Sequence, residues 1–216
     1  GADLDTERAR VDRWCRDYRA LAGRHRDADG RPPQHSFFYP EEEYRKEHLD
    51  KVASLCADGF GEIEIHLHHD NDTEANFREC MSRFAKTLNE QHGALPIDPE
   101  TGQIQFAFIH GNWCLDNSRK DGRWCGLNNE LILLRELGCY ADFTLPAAPS
   151  EAQTSTVNRI YYAKDDPHCA KSHDTGIPVR VGGQASGDLM IIQGPLGLNW
   201  KSRRMGIIPR IENSDI

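Results

Sequence analysis

The residues with the clearest capacity for chemistry lie in one short stretch, HLHHDND, at positions 66–72. It holds three of the chain's ten histidines. His66 and His68 are two residues apart, so on a strand they point to the same face, and a turn after them brings His69 or Asp70 to the same point. Two imidazoles and a carboxylate are a common ligand set for zinc or a related divalent ion. The stretch therefore predicts a metal site, where a bound water would be acidified and a carbonyl group polarised.

Simpler interpretations of this stretch remain open beside the metal site. His68 and His69 can be solvated side chains, while Asp70 and Asp72 cap the helix that follows. His66 and His68 can also orient a substrate instead of an ion. We favour the metal because three histidines clustered at one strand end are unusual.

Polar and aromatic residues also follow the third predicted strand. The sequence FIHGNW places His110, Asn112 and Trp113 directly after it, and Gly111 permits a tight turn there. We predict that these three residues and Trp124 line a substrate groove, with the tryptophans stacked on a sugar ring. The alternative for both tryptophans is an anchor in the core or in a loop.

Candidates for acid and base catalysis come from later in the chain. Asp142 lies in the fourth predicted strand and can point into a site or into the sheet. His173 and Asp174, in KSHDTG, form a loop pair that can act as acid and base, or simply a surface turn with an Asx-type cap. Asn129 and Glu130 open a helix, where capping is the default role.

Predicted strands and helices alternate along the chain, which indicates an α/β fold with a mostly parallel sheet or barrel. Active residues of such folds collect at the carboxyl ends of the strands, where HLHHDND lies. The strands are predicted at His35–Pro40, Gly61–His68, Gln105–His110, Cys139–Pro146, Asn158–Tyr162 and Leu189–Gln193. The helices are predicted at Thr6–Leu21, Glu41–Ala57, from Phe77 to Leu88, and at Asn129–Leu137.

Composition narrows the class of protein. The 216 residues are 38% hydrophobic and 28% charged, with a net charge of −8, typical of one ordinary globular domain over 1–216.

Region 146–187 has weak periodicity, so we predict an insertion or lid there. The chain has no basic block and no apolar run of membrane-spanning length, which argues against a nucleic-acid partner and a membrane span. Oligomeric state is not predicted.

Cysteine usage and the chain ends bear on the compartment and on completeness. The seven cysteines are irregularly spaced and form no CxxC pair, which favours free thiols in a reducing compartment. With no visible signal peptide, this favours the cytoplasm. Gly1-Ala2 is typical of a fragment start and the ending PRIENSDI has no helix stop, so we expect truncation at one or both ends.

The segment from Leu55 to Gly93 resembles the second signature of the polysaccharide deacetylases, metal-dependent carbohydrate esterases related to chitooligosaccharide deacetylase. Glu62 to His66, which reads EIEIH, stands where that family has its EIG-x-H strand. The sequence DTEANFRECMSRFAKTLNEQHG follows like the family's next helix, and FAFIHGNW stands where a strand leads to the third signature. NNELILLRELGCYADFTLP resembles a later helix and strand.

This resemblance implies a distorted (β/α) barrel, which this chain forms completely or in part. It also implies hydrolysis of acetyl groups on a carbohydrate, with a divalent metal ion, preferably zinc, as the cofactor. The chain departs from the family in three places. Asp70 stands four residues after His66, where the family has histidine, so Asp70, His68 or His69 takes that ligand position. The acidic pair of the first signature and the RxPxG groove motif are missing, and His173 is the candidate for the late acid.

Two rival functions remain open. One is a carbohydrate-binding domain of the same fold that has lost catalysis, which the missing acidic pair favours. The other is a different divalent-metal hydrolase, such as an amidohydrolase or a phosphoesterase, because a histidine-rich strand end suits those enzymes as well.

Overall fold

The computed structural model of the protein describes residues 3–213. Seven strands form one sheet, in the order β1-β2-β3-β4-β7-β5-β6. The strands are β1 (His35–Pro40), β2 (Gly61–Leu67), β3 (Phe106–His110), β4 (Cys139–Asp142), β5 (Ile160–Ala163), β6 (Ile177–Pro178) and β7 (Leu189–Ile192). Strands β1, β2, β3, β4 and β7 are parallel to one another, whereas β5 pairs antiparallel with both β7 and β6.

The α/β fold with a mostly parallel sheet is thereby confirmed. Closure of the sheet into a barrel stays a prediction. Region 146–187 includes β5 and β6, so part of the predicted insertion extends the sheet. A two-stranded hairpin that the sequence analysis did not predict follows the sheet, formed by β8 (Leu196–Arg204) and β9 (Ile208–Asn213).

Four α-helices accompany the strands: α1 (Leu4–Ala22), α2 (Lys46–Leu55), α3 (Glu74–His92) and α4 (Glu130–Glu136). Helix α3 begins where the side chain of Thr73 accepts a hydrogen bond from the backbone N–H of Asn76, and it ends at the left-handed Gly93. Its buried face presents residues spaced by three and four, namely Phe77, Met81, Phe84, Ala85 and Leu88. None of the helices in residues 3–213 is both long and apolar enough to cross a membrane.

The single helix predicted over 41–57 is divided into three pieces. Glu41–Glu43 forms a 3-10 turn, and Tyr44 and Arg45 then leave helical geometry, with ψ of 122° and 117°. The α2 helix follows, and then a π turn at Cys56–Phe60 that contains the left-handed Gly59 and is followed by the extended Gly61. The 3-10 turn directly follows β1, so its glutamates lie at the carboxyl end of β1 and beside β2.

Candidate metal centre

The carboxyl ends of β2 and β3 lie side by side. Leu67 pairs with His110, and the backbone N–H of Gly111 donates to the carbonyl of Leu67 at 2.8 Å. The two loops that carry HLHHDND and HGNW therefore leave the sheet next to each other. In parallel sheets this edge is where side chains from separate strands converge.

An outer histidine pair, formed by His66 and His68, lies at this edge. Their Nε2 atoms are 3.5 Å apart, and the rings meet at an interplanar angle of 69°. His68 Nδ1 makes a short contact with the Glu42 carboxylate. The side chains of His68 and Glu42 are 44% and 37% exposed, so the outer pair faces solvent.

Two neighbours fix the orientation of the His68 ring. The Glu42 carboxylate contacts Nδ1, and with the ring proton on that nitrogen the Nε2 lone pair is the one that faces His66. Gly111 lies against the ring on the other side, where an added Cβ would come within 2.4 Å of it. A carboxylate behind a histidine is the usual second shell of a metal ligand. Two nitrogens bound to tetrahedral zinc lie about 3.3 Å apart, close to the spacing of the outer pair.

An inner cluster lies deeper, formed by His69, His110, Cys125 and Glu130. One ligand atom from each residue lies within 4.8 Å of all the others. Glu130 joins the group: its Oε1 is 3.1 Å from His69 Nε2 and 4.0 Å from His110 Nε2, and its Oε2 accepts from Cys125 Sγ at 3.3 Å. His110, Cys125 and Glu130 are fully buried, and the His69 side chain is 6% exposed. The cluster could hold a metal ion.

The aspartates of HLHHDND fasten the loop that contains Cys125. Asp70 Oδ1 accepts from the backbone N–H of Trp124 at 2.6 Å, and the backbone N–H of Asp72 donates to the carbonyl of Cys125 at 2.9 Å. Gly126 lies so close that an added Cβ would be 2.6 Å from the Asp72 nitrogen. Asp70 therefore supports the loop, and its role as a metal ligand stays a prediction.

The same loop holds several side-chain-bearing residues in left-handed backbone geometry. Trp113, Asp116, Asn117 and Trp124 have φ between 52° and 68°, and Asn71 in the neighbouring loop has φ of 49°. Such conformations cost of order 1–3 kcal/mol each and collect at functional sites. This concentration of strain around the two clusters marks the edge as a candidate site independently of the histidines.

Electrostatics divides the inner cluster into charged and neutral groups. Burial raises the pKa of Glu130, but the imidazoles of His110 and His69 outweigh it and lower the pKa to about 2. Burial lowers the pKa of His69, but Glu130 and Asp72 outweigh it and raise the pKa to about 9. Burial lowers the pKa of His110 to about 3. Without an ion, the cluster thus holds a His69 imidazolium against a Glu130 carboxylate.

The predicted groove residues differ in how much of each side chain is exposed to solvent. Trp113 is 52% exposed and Trp124 38% exposed, with the Arg119 guanidinium 4.6 Å from the centre of the Trp124 ring. Asn112 is half-buried beside Trp113. His110, in contrast, belongs to the inner cluster and has no exposed surface.

The three predicted catalytic residues contact partners other than the outer pair. Asp142 is fully buried and accepts from the Thr144 hydroxyl at 2.7 Å, and that hydroxyl accepts from the backbone N–H of His110 at 2.8 Å. It therefore supports the end of β3. His173 is fully buried, with Nδ1 4.0 Å from the Asp116 carboxylate, and Asp174 accepts from the Ser155 hydroxyl. Their catalytic roles stay predictions.

Three residues of the site were missed or given another role from the sequence. Glu130 was taken as a helix cap, Cys125 as a buried free thiol, and Glu42 as part of a helix. The sequence held one signal for Glu130. Its carboxylate directly precedes the apolar run LILL, whose residues are mostly buried, so burial of Glu130 with them could have been expected. Cys125 and Glu42 come from loops whose paths depend on tertiary contacts.

Comparison with protein-family models, with curated proteins and with solved structures gives no match for this chain. The geometry of its own residues therefore carries the functional conclusion.

Proposed function

We propose that the protein is a divalent-metal-dependent hydrolase that removes acetyl groups from a carbohydrate, with the ion held by the outer histidine pair. The observation that carries this proposal is the outer pair itself. His66 and His68 present their Nε2 atoms to each other 3.5 Å apart, with Glu42 behind His68. We propose zinc as the ion because imidazole nitrogen and tetrahedral spacing suit it.

Three features support hydrolysis over simple metal storage. Two protein ligands leave coordination positions open, as catalytic sites do. An ion there would acidify a bound water and polarise an acyl carbonyl. Burial and the neighbouring His68 lower the pKa of His66, which favours the neutral imidazole that a metal ion binds.

The exposed aromatic residues support a carbohydrate as the substrate. Trp113 follows β3 directly and presents about half of its surface to solvent. Its left-handed backbone, φ 58°, makes it an unusual place for a large side chain without a ligand to contact. An indole face is suited to the apolar C–H face of a sugar ring, and the half-buried amide of Asn112 can bond its hydroxyls.

The test is acetate release from acetylated chito-oligosaccharides and acetylated xylan by zinc-loaded protein. We expect the wild type to release acetate and His68→Ala to lose this activity. The control variant, His25→Ala, should keep it, because His25 is an exposed histidine in the loop after α1, far from His68 in the sequence. p-Nitrophenyl phosphate is run beside the sugars.

Each other outcome contradicts the proposal in its own way. Hydrolysis of the phosphate ester alone would make the protein a different metal hydrolase. Sugar binding without ion uptake or turnover would make it a carbohydrate-binding domain. Acetate release that survives His68→Ala would move the chemistry away from the outer pair.

A further inference from the structure

We infer that the inner cluster is a second metal site, a closed structural one with a cysteine thiolate among its ligands. This inference goes beyond the proposed function and does not depend on it. Its ligands would be His69, His110, Cys125 and Glu130, which are distinct from the outer pair. A soft thiolate and two imidazoles select zinc or a similar ion over magnesium or calcium.

The spacing of the four side chains favours an ion at their centre. One donor atom of each lies within 4.8 Å of the others, and the separations from Glu130 run from 3.1 to 4.0 Å. Donors around tetrahedral zinc with bonds of about 2.0–2.3 Å lie about 3.3–3.8 Å apart. The widest separation, 4.8 Å at most, therefore has to shorten by up to about 1 Å when the coordination sphere forms.

Unsatisfied polar atoms supply independent evidence. Within the described part of the chain, His110 Nε2 is buried without a hydrogen-bond partner, 4.0 Å from Glu130 Oε1. His69 Nδ1 and Asp72 Oδ2 are also buried and lie 3.3 Å apart, as an ion pair that misses hydrogen-bond geometry. The neighbouring Asp116 and His173 also have buried polar atoms that find no partner among residues 3–213. Each such atom costs about 1–3 kcal/mol. An ion on His110 Nε2 would satisfy that atom.

Burial distinguishes this site from the outer pair. His110, Cys125 and Glu130 have no exposed surface, so the ion would be enclosed by four protein ligands. Enclosed four-ligand sites are structural, whereas catalytic sites keep an open position. The ligands come from the loop after β2, the end of β3, the loop that contains Trp113 and Trp124, and the start of α4. The ion would therefore fasten the two exposed tryptophans to the sheet.

One contact must change when the ion binds. His110 Nδ1 now accepts from the backbone N–H of Asn112 at 3.3 Å, a long hydrogen bond. An ion on Nε2 places the ring proton on Nδ1, so the Asn112 N–H has to turn away. The competing ion-free state is the His69 imidazolium between Glu130 and Asp72.

The test is cobalt substitution of the full chain. Protein purified without chelator is loaded with Co²⁺, the ions per chain are counted, and the absorption spectrum is recorded. We expect two ions and a near-ultraviolet thiolate-to-cobalt charge-transfer band. Cys125→Ser should lose the band and one ion. Cys114→Ser, a buried cysteine in the same loop whose thiol donates to the Asn112 carbonyl, should keep both.

The variants separate this inference from the proposed function. His66→Ala and His68→Ala should each lose one ion and keep the charge-transfer band. A wild type without the band, or a Cys125→Ser variant that keeps it, would overturn the inner site while leaving the outer pair untouched. If Cys125→Ser does not fold, the wild-type spectrum still decides, because absence of the band alone contradicts a thiolate ligand.

Discussion

The outer pair and the inner cluster each contain a histidine from the same stretch, but the first lies at the surface and the second in the interior. His68 is 44% exposed and meets a carboxylate at the surface, whereas the next residue, His69, is 6% exposed and meets one in the interior. The chain turns between them, so one histidine stays over the sheet edge and the other enters the core. One short motif can therefore supply an open site and a closed one.

A second contrast shows that partners, and not burial alone, decide the charge of a buried carboxyl group. Glu64 on β2 and Glu130 on α4 are 4% and 0% exposed. Burial raises the pKa of Glu64 to about 7, and the hydrogen bonds from the Ala107 backbone N–H and the Tyr140 hydroxyl offset this only in part. Glu130 faces two imidazoles, and its pKa falls to about 2. Only the second carboxylate is suited to hold a cation.

The largest effect is expected from Glu130→Gln, which breaks the inner cluster. The substitution removes the buried carboxylate that pairs with the His69 imidazolium and leaves Asp72 as its remaining anion, a loss of about 3–5 kcal/mol in the free energy of unfolding. Urea denaturation of metal-free protein measures it. Glu136→Gln, in the same helix but 44% exposed, should change the free energy by less than about 0.5 kcal/mol. Equal effects in the two variants would remove the distinction between the cluster and an ordinary surface ion pair.

A pH-dependent effect is expected at Glu64. Its pKa is 4.5 in an ordinary setting and about 7 in the fold, so the folded protein binds the proton more tightly. The stabilisation is complete below pH 4.5 and is lost as the pH rises through 7. Glu64→Gln should remove a decline on the order of 1–3 kcal/mol over that interval, seen in denaturation at several pH values. Glu62→Gln, whose carboxylate accepts from Ser36, serves as the control, and an unchanged decline in Glu64→Gln would contradict the assignment.

A smaller effect is expected at Glu42, behind the outer pair. Removal of a carboxylate that orients a metal-binding histidine weakens metal affinity about 10–100-fold. We therefore expect Glu42→Ala to weaken zinc binding by that factor in calorimetric titration, with the thiolate-to-cobalt band unaltered. Glu43→Ala, the exposed neighbour in the same 3-10 turn, should bind zinc as the wild type does. Equal affinities for the two variants would show that Glu42 has no role at the site.

Sequence patterns predicted the elements better than the site. The alternation of Ile63, Ile65 and Leu67 with polar residues predicted β2, and the three- and four-residue spacing in α3 predicted that helix. The position of the histidines at a strand end followed from the same pattern. The break after Glu43 could not be predicted, because residues 41–57 have helical spacing throughout and the extended Tyr44 and Arg45 lie within it.

The division of the histidines between two clusters was beyond sequence reasoning for a physical reason. Glu130 lies 61 residues after His69, and Cys125 lies in a loop whose left-handed residues carry few local signals. Such partners meet only once the sheet order has placed β2 beside β3. His110 was predicted as a groove residue for the same reason, since its burial depends on that loop closing over it.

The most direct test of the account is the number of metal ions bound per chain, measured by inductively coupled plasma mass spectrometry. Wild type and a His66→Ala/His68→Ala double variant are purified without a His-tag or chelator and incubated with zinc. We predict two ions in the wild type and one in the double variant, because the inner cluster keeps its own ligands. A double variant that retains every ion of the wild type, or a wild type that takes up none, would contradict the open site on which the proposed function rests.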